Sequence, residues 1–118
     1  MEIALGAARS VARGSRHAGP TQCHGLAGNI EFLLDVYQAT GDLAFLREER
    51  SLATLLEAFA SARDGQLVWP SESPMIFTHD YLVGYAGVLP CLLRLADPEC
   101  RPRQLSRAGF RFIPGARR

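Results

Sequence analysis

The sequence predicts an all-α fold assembled from helical-hairpin repeats. Three observations carry that expectation. Apolar residues recur at helical spacing, a glycine-bearing link between two of the periodic segments is very short, and one glycine-rich segment recurs 59 residues further on. At 118 residues, 47% of them apolar and 21% charged, the chain has the size and composition of one small globular domain.

The first helix spans about residues 2–13, with Ile3, Leu5, Ala8 and Val11 as its apolar set. It stops in GSRHAGP, where Gly14, Gly19 and Pro20 break the periodicity. The second runs from about 26 to 39. Leu26, Ile30, Leu33, Leu34 and Tyr37 form one stripe, and Phe32 and Val36 add a second apolar face, so cover is expected on both sides. Gly41 is placed to end this helix in the left-handed conformation, and Asp42 to cap the next one. The third helix, about 43–62, carries the single stripe Leu52, Leu55, Leu56 and Phe59, with Glu57 on its wet side. A link of only Thr40, Gly41 and Asp42 requires an antiparallel helical hairpin.

A long connection, RDGQLVWPSESPMIFTHD, follows over residues 63–80. QLVW reads as a short strand without a visible partner. A loop of this length inside a compact chain is either functional or a sign that an element has been wrongly assigned. The fourth helix is expected over about 80–96. It is apolar nearly all round, with Arg94 the only charge in its body, which suits an interior. Pro90 should kink it, and Asp97-Pro98 ends it.

The second and fourth segments are copies. GLAG (Gly25 to Gly28) and GYAG (Gly84 to Gly87) open them, and at the same spacing of 59 Ile30 meets Leu89, Leu33 meets Leu92 and Leu34 meets Leu93. Helical repeats need neighbours to bury their inner faces, about three for stability, so these two copies are expected to be part of something larger.

The net charge of +1 argues against the whole molecule as a nucleic-acid binder. All 13 basic residues are arginine. No acid follows Glu99, so residues 101–118 form a basic tail: either a solvated segment or one that binds phosphate with strong salt dependence. The three cysteines make no disulfide framework, which points to a reduced, cytoplasmic setting. The N-terminus lacks the uninterrupted apolar core of a signal peptide. The apolar, uncharged run at residues 81–93 falls short of the ~20 residues of a membrane span.

The chemistry-bearing pair is Cys23-His24, at the entry to the second helix. Neighbours within a helix point about 100° apart, but at its entry both can converge on one ion. A helix N-terminus also favours a thiolate, and zinc accepts S and N donors together. The alternative is a buried cysteine beside a polar cap residue. Gly25 and Gly28 allow close approach of either a ligand or a neighbouring helix. His79, beside Asp80, is part of a capping network or an acid–base residue. His17 lies in the glycine-rich loop. Cys91 is expected to be inert core, and Trp69 either floors a peptide groove or anchors its loop.

CHGLAGNIEFLLDVYQATGD, DGQLVWPSE and DYLVGYAGVLPCLLRLADP, with PRQLSRAGFR near the chain end, resemble the C-terminal part of the lanthionine synthetase C-like cyclases. The similarity is greatest to the fused kinase–cyclase enzymes of classes III and IV and covers about residues 14–110. The resemblance implies an α/α toroid with zinc at its mouth, of which residues 1–100 would be the C-terminal portion. It implies that Cys23 and His24 are zinc ligands, with a third cysteine from an earlier repeat that would precede Met1. Zinc in that family activates a cysteine thiol of a lanthipeptide precursor peptide, which adds to a dehydroalanine or dehydrobutyrine to close a thioether ring. The fold expectation is thus a partial α/α toroid, a C-terminal fragment of a larger barrel. By itself the chain is expected to be inactive, and its partners to be the precursor peptide and the rest of the cyclase. Cys91 and Cys100 match no ligand position. One alternative is a truncated remnant that only packs or binds peptide. Another is a glycan-processing toroid enzyme, which would want paired carboxylates. Glu31 and Asp35 share a helix face but lie beyond the glycine mouth.

Overall fold

The structure is a computed structural model that describes residues 1–99; the expected basic tail over 101–118, like Cys100, lies outside them. The architecture is all-α, a partial arrangement of helical hairpins. Helix α1 (Glu2–Gly14) runs into a 3-10 turn (Ser15–His17), and α2 (Leu26–Thr40) is followed by α3 (Leu43–Ala58). Two short strands, β1 (Ser61–Arg63) and β2 (Gln66–Val68), and a 3-10 turn (Tyr85–Gly87) precede α4 (Val88–Ala96). Among the described residues no helix is long and apolar enough to cross a membrane.

The α2–α3 hairpin forms as its residues dictate. Gly41 adopts φ 71°, and its N–H donates to the Tyr37 carbonyl at 2.7 Å. The Asp42 carboxylate then accepts the Ala44 N–H at 2.9 Å, so the turn ends one helix and starts the next. Helix α2 buries its main stripe through Leu26, Ile30, Leu33 and Leu34, and on its second face Val36 is buried and Phe32 half-buried, whereas α3 buries one face through Phe45, Leu52 and Leu56.

Several expectations are corrected. The third helix stops at Ala58 instead of 62, because Ser61–Arg63 turns into the strand that QLVW lacked. Ser61 pairs with Val68 and Arg63 with Gln66 across the Asp64-Gly65 turn, where both residues have positive φ (50° and 76°). Two successive left-handed residues match the right-handed twist of the flanking strands, which is why Asp-Gly favours such hairpins. The fourth helix begins at Val88, not 80. The Asp80 carboxylate accepts from the Thr78 hydroxyl at 2.6 Å and the Val83 N–H at 2.8 Å, folding that segment into a turn. Pro90 consequently stands in the first turn of α4, where its missing N–H has no intrahelical partner to lose, so it needs no kink. The expected all-round burial also fails. Val88, Cys91 and Arg94 are buried, while Leu89 is 61% and Leu93 41% exposed.

The internal repeat is a backbone repeat. Gly25 has φ −109°, ψ −167°, and Gly84 has φ −109°, ψ −172°. The Leu26 N–H donates to the Gly19 carbonyl at 2.7 Å, and its counterpart Tyr85 N–H donates to the Thr78 carbonyl at 3.0 Å. A methyl group at Gly28 would overlap the Gln22 carbonyl oxygen, and one at Gly87 would overlap the Tyr81 carbonyl oxygen. Both mouths therefore fold over their glycines in the same way.

Arg94 fixes α4 against α2. Its guanidinium is 2% exposed and lies 2.6 Å from Asp35 Oδ1 and 3.5 Å from Glu31 Oε2. It also donates to the Glu31 carbonyl at 3.4 Å. Asp35 and Arg94 occupy equivalent positions of the two repeats, 59 apart, so the copies are joined through one shared site of opposite charge. Glu31 and Arg94 are the buried part of this site, and removing Arg94 from beside Glu31 is expected to cost about 3–5 kcal/mol. The carboxylates on one face of α2 thus serve helix docking.

Candidate metal centre

Residues 19–25 form the entry to α2. Thr21 and Gln22 are buried, and Gln22 packs towards Gly87 of the second mouth. The next two residues turn outward: Cys23 and His24 are both exposed, and Cys23 is a free thiol. Gly25, in extended conformation, sits so close over the Thr21 backbone that no side chain fits there. The Cys23 N–H donates to the Leu82 carbonyl at 2.8 Å, which ties the first mouth to the second. In the repeat, Leu82 and Val83 occupy the places of Cys23 and His24, so one mouth carries donors and the other carries apolar side chains.

His24 has a partner that the sequence did not disclose. Its Nε2 lies 2.8 Å from Glu72 Oε1, with 64% and 47% of the two side chains exposed. Glu72 also lines a cavity of about 400 Å³, together with His17, Pro20, Phe59, Pro70 and Phe77. No spacing rule links positions 24 and 72; only the path of the long connection brings them together. Trp69 resolves as the anchor of that connection: it is buried, and its Nε1–H donates to the Leu56 carbonyl at 2.8 Å.

The remaining candidates separate clearly. His79 is exposed at the second mouth, its ring tilted against Tyr85 with centroids 5.0 Å apart. Hydrogen bonds from Thr78 and Val83 hold the neighbouring Asp80 carboxyl below its ordinary range. Cys91 is inert core as expected: burial, with Glu31 nearby, pushes its thiol far up. His17 closes the 3-10 turn after α1 and faces the cavity.

One soft and one borderline donor, adjacent and open to solvent at a helix entry, fit zinc by donor chemistry. Among the described residues no cluster of three or more His, Cys, Asp or Glu side chains forms a complete metal cage. Cys23 and His24 would therefore supply two ligands of a larger set.

Fold and site together define a class: a helical-hairpin repeat protein whose helix mouths are built on glycine, one of them displaying Cys-His-Gly. A family model described as lanthionine synthetase C-like protein matches residues 2–105, and the chain belongs to that family. No curated protein sequence matches it.

Proposed function

We propose that the chain is the C-terminal segment of a zinc-dependent lanthionine synthetase cyclase, in which Cys23 and His24 are two of the zinc ligands. The observation that carries this reading is the outward turn of both side chains at a mouth whose neighbours Thr21 and Gln22 are buried. Zinc, when bound, supplies a peptide thiol in deprotonated form at neutral pH. Cys23, an exposed free thiol just ahead of α2, offers zinc a soft donor beside the His24 imidazole. The exposure of the pair leaves room for a precursor-peptide cysteine, whose sulfur adds to a dehydroalanine or dehydrobutyrine to form the thioether.

The rest of the cyclase is the proposed partner. Ile30 and Leu34 are 0% exposed, while their repeat equivalents Leu89 and Leu93 are 61% and 41% exposed. Further repeats packed on α4 would give both copies the same cover. A reducing, cytoplasmic compartment suits a free ligand thiol. The alternative reading, a remnant that packs or binds peptide without catalysis, is favoured by the incomplete ligand set among the described residues.

Metal content decides between them. The chain assembled with its further repeats is expected to hold about one zinc, and Cys23→Ala and His24→Ala each to lose it along with cyclisation. Zinc in both variants equal to that of the unsubstituted protein would sink the ligand assignment.

A further inference from the structure

We infer that Glu72 is the positioning residue of His24: its carboxylate holds the Nε2–H and so leaves Nδ1 as the nitrogen that faces a metal. The inference rests on the reading of His24 as a ligand and adds which ring atom serves. The contact is His24 Nε2 to Glu72 Oε1 at 2.8 Å. An ionised carboxylate only accepts, so a neutral imidazole opposite it carries its proton on Nε2 and its lone pair on Nδ1. Histidines that bind metals commonly donate their other N–H to a carboxylate, which fixes the tautomer and raises ligand basicity.

Although both side chains are exposed, both backbones are held. On the Glu72 side the segment closes on itself. The Ser71 N–H donates to the Ile76 carbonyl at 2.7 Å, the Ile76 N–H to the Ser73 carbonyl at 3.1 Å, and the Ser73 N–H to the Ser71 hydroxyl at 3.4 Å. Buried Val68 and Trp69 pin the start of that segment to the core, Trp69 through Leu56. On the His24 side, Cys23 is tied to Leu82 and Leu26 to Gly19. The long connection that sequence alone left without a role thus ends in a clamped turn that presents one carboxylate to one imidazole. An exposed polar contact of this kind contributes little to folding, so its consequence falls on the imidazole and not on stability.

The test compares the protein with Glu72→Ala and Glu72→Gln. Nitrogen NMR of the His24 ring, on metal-free protein above its titration, is expected to show the Nε2–H tautomer in the parent and in Glu72→Gln, whose amide oxygen still accepts. In Glu72→Ala the two tautomers should mix. Zinc affinity, measured by chelator competition, should fall about 10–100-fold in Glu72→Ala and recover towards the parent in Glu72→Gln. An Nδ1–H tautomer in the parent overturns the inference, as does an unchanged ring in Glu72→Ala. Unchanged zinc affinity in Glu72→Ala, with Cys23→Ala losing zinc, also overturns it. If zinc binding is indifferent to Cys23→Ala, the metal reading itself fails, and the metal-free tautomer still decides whether Glu72 orients the ring.

Discussion

Glu49 is buried in α3, and neither of its carboxylate oxygens has a hydrogen-bond partner among the described residues. Burial pushes its carboxyl from 4.5 up to about 7, against the smaller opposing pull of Arg50 and Arg94. The folded chain therefore binds this proton more tightly than the unfolded chain does. The stability it contributes is complete below about pH 4.5 and is lost as pH rises through about 7. The loss is on the order of 3 kcal/mol. The urea midpoint is expected to decline from about pH 5 to about pH 8, and Glu49→Gln to remove most of that decline. An identical slope in the variant would reassign the effect to another group. Neither Glu49 nor Glu72 is marked in the sequence: one looks like a charge on a solvated turn of α3, the other like a loop acid. Their roles come from surroundings that lie far away along the chain.

At the scale of elements, the glycines at the two mouths are the decisive residues. Gly87 faces both the Tyr81 carbonyl and the Gln22 side chain, so it sits where the second mouth meets the first. Gly87→Ala is expected to cost about 1–3 kcal/mol by overpacking. It should also speed amide exchange at Cys23, whose N–H bonds to Leu82 across the same junction. Unchanged exchange there would separate the two mouths. The hairpin of α2 and α3 was legible because apolar period, Gly41 and Asp42 all agree. The β1–β2 hairpin was half legible. Ala58 to Ala62 extend a helical pattern, and the Asp-Gly turn that stops it is a local signal weaker than the period around it. The start of α4 was not legible, since a nearly continuous apolar run has no period to mark where a turn becomes a helix.

For the molecule as a whole, the two repeats share one backbone plan but not one environment. The outer face of α4, with Leu89 and Leu93, is open where the corresponding face of α2 is closed. Leu89→Glu with Leu93→Glu is expected to leave the stability of the chain within about 1 kcal/mol, because exposed sites tolerate such changes. If the proposed further repeats of a cyclase pack on this face, the same double variant should abolish their association, read by co-elution of the two parts. Retained association would place their contact elsewhere. Glu72 links the cavity it lines to the exposed Cys23-His24 pair through its contact with His24.

The sequence by itself determined the all-α class, the repeat at 59 residues, the α2–α3 hairpin and the placing of Cys23 and His24 at a helix entry. These follow from local rules, period, capping and glycine, that act within a few turns of chain. Only the tertiary structure decided that Glu31 and Asp35 meet Arg94, that Glu49 is buried, that Trp69 anchors its loop, and that Glu72 reaches His24. Each of those depends on which segments the fold brings together, and contact between distant segments leaves no periodic trace in a single chain.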